Sequence, residues 1–117
     1  MATMSYVLLS GSTQGKGIKV AQAATAGTTI HTAVAGTSNI DQIYLYAVNT
    51  SGVDKKLTLE WGEATAPDGN IEVTITAESG LVLVAPGLPL QNGLVVKAFA
   101  ATADVIVIHG YVHRVTA

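Results

Sequence analysis

From Ile40 to the end of the chain, apolar residues recur at every second position and turn residues interrupt them at short intervals, the pattern of an antiparallel sandwich or barrel. Ile43-Tyr44-Leu45-Tyr46-Ala47-Val48 is apolar nearly throughout and predicts a strand covered on both faces. Lys56 to Trp61 alternates strictly, which places Leu57, Leu59 and Trp61 inward and Lys56, Thr58 and Glu60 outward on a half-exposed strand. Asn49-Thr50-Ser51-Gly52 lies between these two strands and predicts a hairpin. In Ala66-Pro67-Asp68-Gly69-Asn70 proline fixes one φ and glycine is expected to supply a positive one. Ile71, Val73 and Ile75 then alternate with polar residues. Leu81 to Val84 forms a continuous apolar run that should end at Pro86 and Pro89, which lack ladder donors. Asn92-Gly93 turns into Leu94 to Ala100, and Asp104 leads into Val105 to Val115. Six strands are expected after Ile40. Two packed antiparallel sheets would enclose Leu57, Leu59, Trp61, Ile71, Val73, Ile75, Val105 and Val107.

The first forty residues read differently, being rich in Ala, Gly, Thr and Ser with no acidic residue before Asp41. Tyr6 to Leu9 and Thr29 to Val34 are short β runs, and only Ala21 to Ala26 could form a helix, cut short by Gly27. Residues 1–27 are therefore expected to be a flexible N-terminal arm or edge segment, and residues 28–117 a β-sandwich domain. Gly11, Gly15 and Gly17 make such an arm costly to order without a partner.

Composition sharpens this picture. With 117 residues and no cysteine, the chain fits one domain held by packing alone. Hydrophobic residues make up 49% and charged residues only 12%, about half the ordinary share. Spread over a folded surface of roughly 6,000 Å², so few charges leave apolar areas that a neighbour is expected to cover. The net charge of −2 and the absence of a basic cluster larger than Lys55-Lys56 argue against nucleic acid. No apolar stretch is long enough to span a bilayer, and none resembles the core of a signal peptide, so a soluble protein made in the cytoplasm is expected.

Candidate chemistry is thin. Gly11-Ser12-Thr13-Gln14-Gly15-Lys16-Gly17 follows an apolar run as a phosphate loop would. However, three residues separate the first two glycines where four are needed, and Gly17 follows the lysine in place of Ser or Thr. His31, His109 and His113 invite a metal, yet residues four apart on a strand lie about 13 Å apart, too far for His109 and His113 to share one ion. Those two histidines and Tyr111 project from one strand face, where protonation could act as a switch. No G-x-S-x-G nucleophile turn occurs, and Glu60 and Glu63 read as exposed strand-end charges rather than a catalytic pair. Tyr44 and Tyr46 share a face that could stack on a sugar, whereas Trp61 lines up with Leu57 and Leu59 as core. No catalytic, cofactor-binding or metal-ligating residue is assigned, and no enzymatic activity or cofactor is expected.

Ile40-Asp41-Gln42-Ile43-Tyr44-Leu45-Tyr46-Ala47-Val48-Asn49, followed by Leu57-Thr58-Leu59-Glu60-Trp61-Gly62, resembles small virion proteins of tailed bacteriophages, and Gly93 to Val115 is similar in style. The resemblance covers about two-thirds of the chain and implies a jelly-roll-like head protein that cements or decorates a capsid. Its implied partners are the major capsid protein and copies of itself, as a trimer or other ring, with no nucleic acid and no membrane. A glycan-binding or host-attachment module on the virion, or a head-tail adaptor or tail component, is the alternative.

Overall fold

The computed structural model describes residues 2–117, and among them the chain forms nine strands and no helix. In chain order these are β1 (Thr3–Leu8), β2 (Ile18–Lys19), β3 (Thr28–Thr32), β4 (Ile40–Asn49), β5 (Lys55–Trp61), β6 (Asn70–Ile75), β7 (Val82–Leu90), β8 (Val95–Ala100) and β9 (Ile106–Thr116). Sheet I has the order β1-β9-β4-β7, with β2 pairing farther along the same side of β9 as β1. Sheet II has the order β3-β8-β5-β6, and every pairing in both sheets is antiparallel. If β1 and β2 are counted as one interrupted strand, this order is that of a jelly roll. The fold is an all-β sandwich, as the alternation predicts, and the six strands expected after Ile40 are all present.

The core lies between the sheets. Sheet I contributes Ile43, Leu45, Ala47, Ile106, Ile108 and Val112, and sheet II contributes Ile30, Leu57, Leu59, Ile75, Val96 and Ala98. Trp61, Ile71, Val73 and Val105 pack against this cluster half-buried. Val107 does not join it. In β9 it is Ile106 and Ile108 that point inward, while Val107 faces out with His109 and Tyr111. Val105 to Ile108 is apolar at every position, so period 2 leaves its phase open.

Several local expectations are corrected. Asn49 to Gly52 does not close a hairpin, because β4 belongs to sheet I and β5 to sheet II. The buried Asn49 side chain holds this crossing: Nδ2 donates to the carbonyls of Val53 and Ile75, each at 2.9 Å, and Oδ1 accepts from Ser51 N and Oγ. Pro86 and Pro89 do not end β7; they lie within it, on a sheet edge where missing donors do no harm. Gly69 is required by close approach and not by a positive φ, since a Cβ there would sit 2.3 Å from the Glu63 carbonyl oxygen.

Residues 2–27 form an edge segment; a free arm is not what they adopt. Residues 3–8 and 18–19 pair with β9, and Leu9, Ile18 and Val20 enter the core. Residues 23–26 form bends without a helix, and Ala100 N donates to Gln22 O at the end of β8. This strap covers Glu60, which is 1% exposed despite facing away from the core, as Thr58 does at 2%.

Candidate functional site

All four tyrosines of the chain gather on the outer face of sheet I. Tyr6 on β1, Tyr111 on β9 and Tyr44 on β4 stand side by side. Tyr6 and Tyr111 stack at 5.4 Å with planes 10° apart, and Tyr111 and Tyr44 at 4.8 Å and 14°. On its far side Tyr44 rests on Gly87 of β7, where a Cβ would lie 2.9 Å from the ring. The stack thus crosses all four strands. His113 packs edge-on against Tyr44 at 5.3 Å and is tilted against Tyr6 and Tyr111. Tyr46 continues the face one pleat along β4, opposite His109. Partial desolvation and the neighbouring Tyr46 and Tyr44 hydroxyls push the Tyr111 phenol above its ordinary value, so the central ring of the stack stays uncharged at neutral pH.

Apolar residues complete the face. Met4, Leu8, Ile40 and Leu83 are 65%, 46%, 43% and 50% exposed. β1, β4, β7 and β9 turn no Asp, Glu, Lys or Arg outward, because Asp41 is fully buried and Arg114 reaches inward to it. Lys19 on β2 stands at the margin, within 3.9 Å of Asp104. Four strands at their usual spacing over ten residues make a face of roughly 600 Å², at the upper end of what monomers leave uncovered.

The titratable groups inside the protein serve the fold. At one end of the sandwich, Arg114 of β9 grips Asp41 of β4 through two nitrogens, Nε to Oδ1 at 2.7 Å and Nη2 to Oδ2 at 3.0 Å. Oδ2 also meets His31 Nε2 at 2.7 Å and accepts from Val34 N at 3.0 Å. His31 Nδ1 accepts from Ser10 N, which fixes its tautomer. Burial pushes the Asp41 carboxyl up, but the Arg114 and His31 hydrogen bonds, the Arg114 charge and Val34 N together hold it below the ordinary value. Ser10, His31 and Asp41 do not form a nucleophilic triad. The Ser10 hydroxyl accepts from Thr32 N, and only its backbone faces the imidazole. Glu60, expected at the surface, lies under the strap and accepts hydrogen bonds from Thr25 Oγ1 and from Gly27 N at 2.6 Å. Glu63 is exposed and takes no part in that site.

Residues 10–17 form a compact turn between β1 and β2, closed by Ser12 Oγ donating to Lys16 O at 2.7 Å, with no helix after it to receive a phosphate. Among the described residues no three of His, Cys, Asp and Glu come together as a ligand set. The hollows of the surface are open and measure about 250 to 350 Å³, at the lower limit for small-molecule sites. Trp61 bridges the sheets, donating from Nε1 to Pro89 O at 3.1 Å.

Sequence reasoning placed Tyr44 with Tyr46, and His109 with Tyr111 and His113, on strand faces. It did not bring the two sets together or add Tyr6, because β9 pairs with residues of β4 more than fifty positions away and with residues of β1 more than a hundred away. No protein-family model, no curated protein and no solved structure matches this chain.

Proposed function

We propose that the chain is a structural assembly protein that docks on a protein surface through the outer face of sheet I. Following its resemblance to small phage virion proteins, we propose that it is a cement or decoration protein of a bacteriophage capsid. The observation that carries this reading is the uncharged tyrosine face, broad and ribbed by rings that hold one another in place. Preordered tyrosines supply contact area at small entropic cost and are characteristic of protein interfaces. Sparse charge agrees, because a surface that is covered in the assembled particle needs little solvation. The role needs no catalysis and no cofactor.

The alternative of a glycan-binding module draws on the same tyrosines, but its geometry is less favourable. Sugars stack on the open face of an aromatic ring, and here both faces of Tyr44 and Tyr111 are occupied by neighbours. The test is sedimentation with purified particles of the phage encoding the chain. The protein should travel with intact capsids, and Tyr111→Lys should release it while leaving its melting temperature within a few degrees. Absence from purified particles, combined with binding to glycans, would reverse the two readings.

A further inference from the structure

Of the four sheet edges in the sandwich, three are guarded against pairing with another strand, and the fourth is guarded only at its β2 end, where Lys19 is exposed. β7 carries Pro86 and Pro89, and its register against β4 shifts twice. β6 presents Glu72, paired with Lys56 at 3.0 Å. β3 has five residues and a register shift, and its flank is occupied by Gly11 N donating to Ile30 O and Thr32 N donating to Ser10 Oγ. Proline, charge, bulges and covering loops are the means by which natural sheets blunt their edges. β1 has none of them. Thr3-Met4-Ser5-Tyr6-Val7-Leu8 pairs with β9 in unbroken register on one side, has no charge and no proline, and exposes five of its six residues.

We propose that two copies of the chain pair through β1, antiparallel and related by a two-fold axis at Tyr6. This deepens the self-association expected from the sparse charge. It rests on the assembly role proposed above and not on the capsid partner.

Three observations favour a second copy over a foreign strand. An isologous pair sets each residue of one edge against its counterpart across the axis, i against j and j against i, and β1 has no charge that would need an opposite partner on that same edge. With Tyr6 opposite Tyr6 of the second copy, Met4 falls opposite Leu8 and Ser5 opposite Val7, so the apolar outward side chains match one another throughout. Directly opposed residues stand about 4.5 to 5.5 Å apart, the spacing at which the tyrosine stack already runs. Tyr6, 66% exposed, ends that stack at the sheet edge, and the second copy's Tyr6 would continue it. The two faces of sheet I would then form one surface across the dimer. A six-residue strand pair spans about 20 Å and covers less than the ~800 Å² per partner of a tight complex, so the dissociation constant should be on the order of micromolar.

Sedimentation equilibrium of the full chain over roughly 1 to 500 μM brackets such a constant and should show monomer and dimer exchanging. Met4→Lys with Leu8→Lys places like charges opposite each other and should weaken the dimer at least tenfold. Met4→Lys with Leu8→Glu places Lys opposite Glu and should keep it near the parent value. Because the chain lacks cysteine, Tyr6→Cys should yield a disulfide dimer on mild oxidation, whereas Thr3→Cys should not. A protein that stays monomeric throughout, a trimer, equal behaviour of the two double variants, or crosslinking at Thr3→Cys but not Tyr6→Cys would each overturn the proposal. Capsid binding enters none of these readouts, so loss of the capsid reading would leave them unchanged.

Discussion

Asp41 ties the two sheets together, because Arg114, His31 and Val34 all converge on one carboxylate from both sheets and a loop. Asp41→Asn removes the charge that the partly exposed Arg114 faces, and losing such charge-assisted hydrogen bonds should cost about 2 to 3 kcal/mol. Chemical denaturation should show that loss. The pKa of Asp41 is lowered in the folded state, so its contribution is present above the unfolded value of about 3.9 and fades as pH falls through the folded one. Denaturation midpoints should therefore decline below about pH 4, and Asp41→Asn should flatten that part of the profile. Gly110 is constrained by space alone. A Cβ there would lie 2.1 Å from Tyr44 O, so Gly110→Ala must push β9 away from β4 and should cost about 2 kcal/mol or more. An unchanged melting temperature would show that the two strands can separate without penalty.

At the scale of elements, the strands were legible in the chain and their partners were not. Alternation located β5 and β6 and placed Leu57, Leu59 and Ile75 inward, because one face of each strand is apolar and the other polar. Where both faces are apolar, as from Val105 to Ile108, nothing local distinguishes them, and the larger isoleucines took the core. The hairpin expected at Asn49 failed for a related reason. A turn's residues permit a reversal but do not decide which sheet receives the next strand, and here the Asn49 side chain ties the turn to Ile75 across that crossing. Glu60 was misplaced because the residues that bury it, Gln22 to Gly27, carry no apolar signal and act through backbone and hydroxyl donors. Glu60→Ala should loosen this strap, seen as faster hydrogen exchange at Gly27 N, at a cost of about 1 to 3 kcal/mol. The N-terminal segment divides the same way. Removing residues 1–8 takes away an exposed edge strand and should leave a folded protein, whereas a deletion through Val20 removes Leu9, Ile18 and Val20 from the core and should not fold. Circular dichroism of the two truncations distinguishes these outcomes. The tyrosine site was half legible, since each strand face could be read but the neighbours of β9 could not.

For the whole molecule, the charges gather away from the tyrosine face. Lys55, Lys56, Glu72 and Lys97 belong to strands of sheet II, Glu63 and Asp68 to the loop between β5 and β6, and Glu78 to the crossing from β6 to β7. Docking through sheet I should therefore depend little on salt, because the face carries only Lys19 at its margin, 3.9 Å from Asp104. Binding that weakens tenfold between low and physiological ionic strength would point to the other side of the molecule. The stacked rings also have an optical consequence. Three phenols held nearly parallel at 4.8 and 5.4 Å are close enough for their electronic transitions to couple, giving the folded protein an aromatic dichroism that isolated tyrosines lack. A partner that covers the face changes the polarity around all three rings at once, so docking should be readable from that band without any attached label.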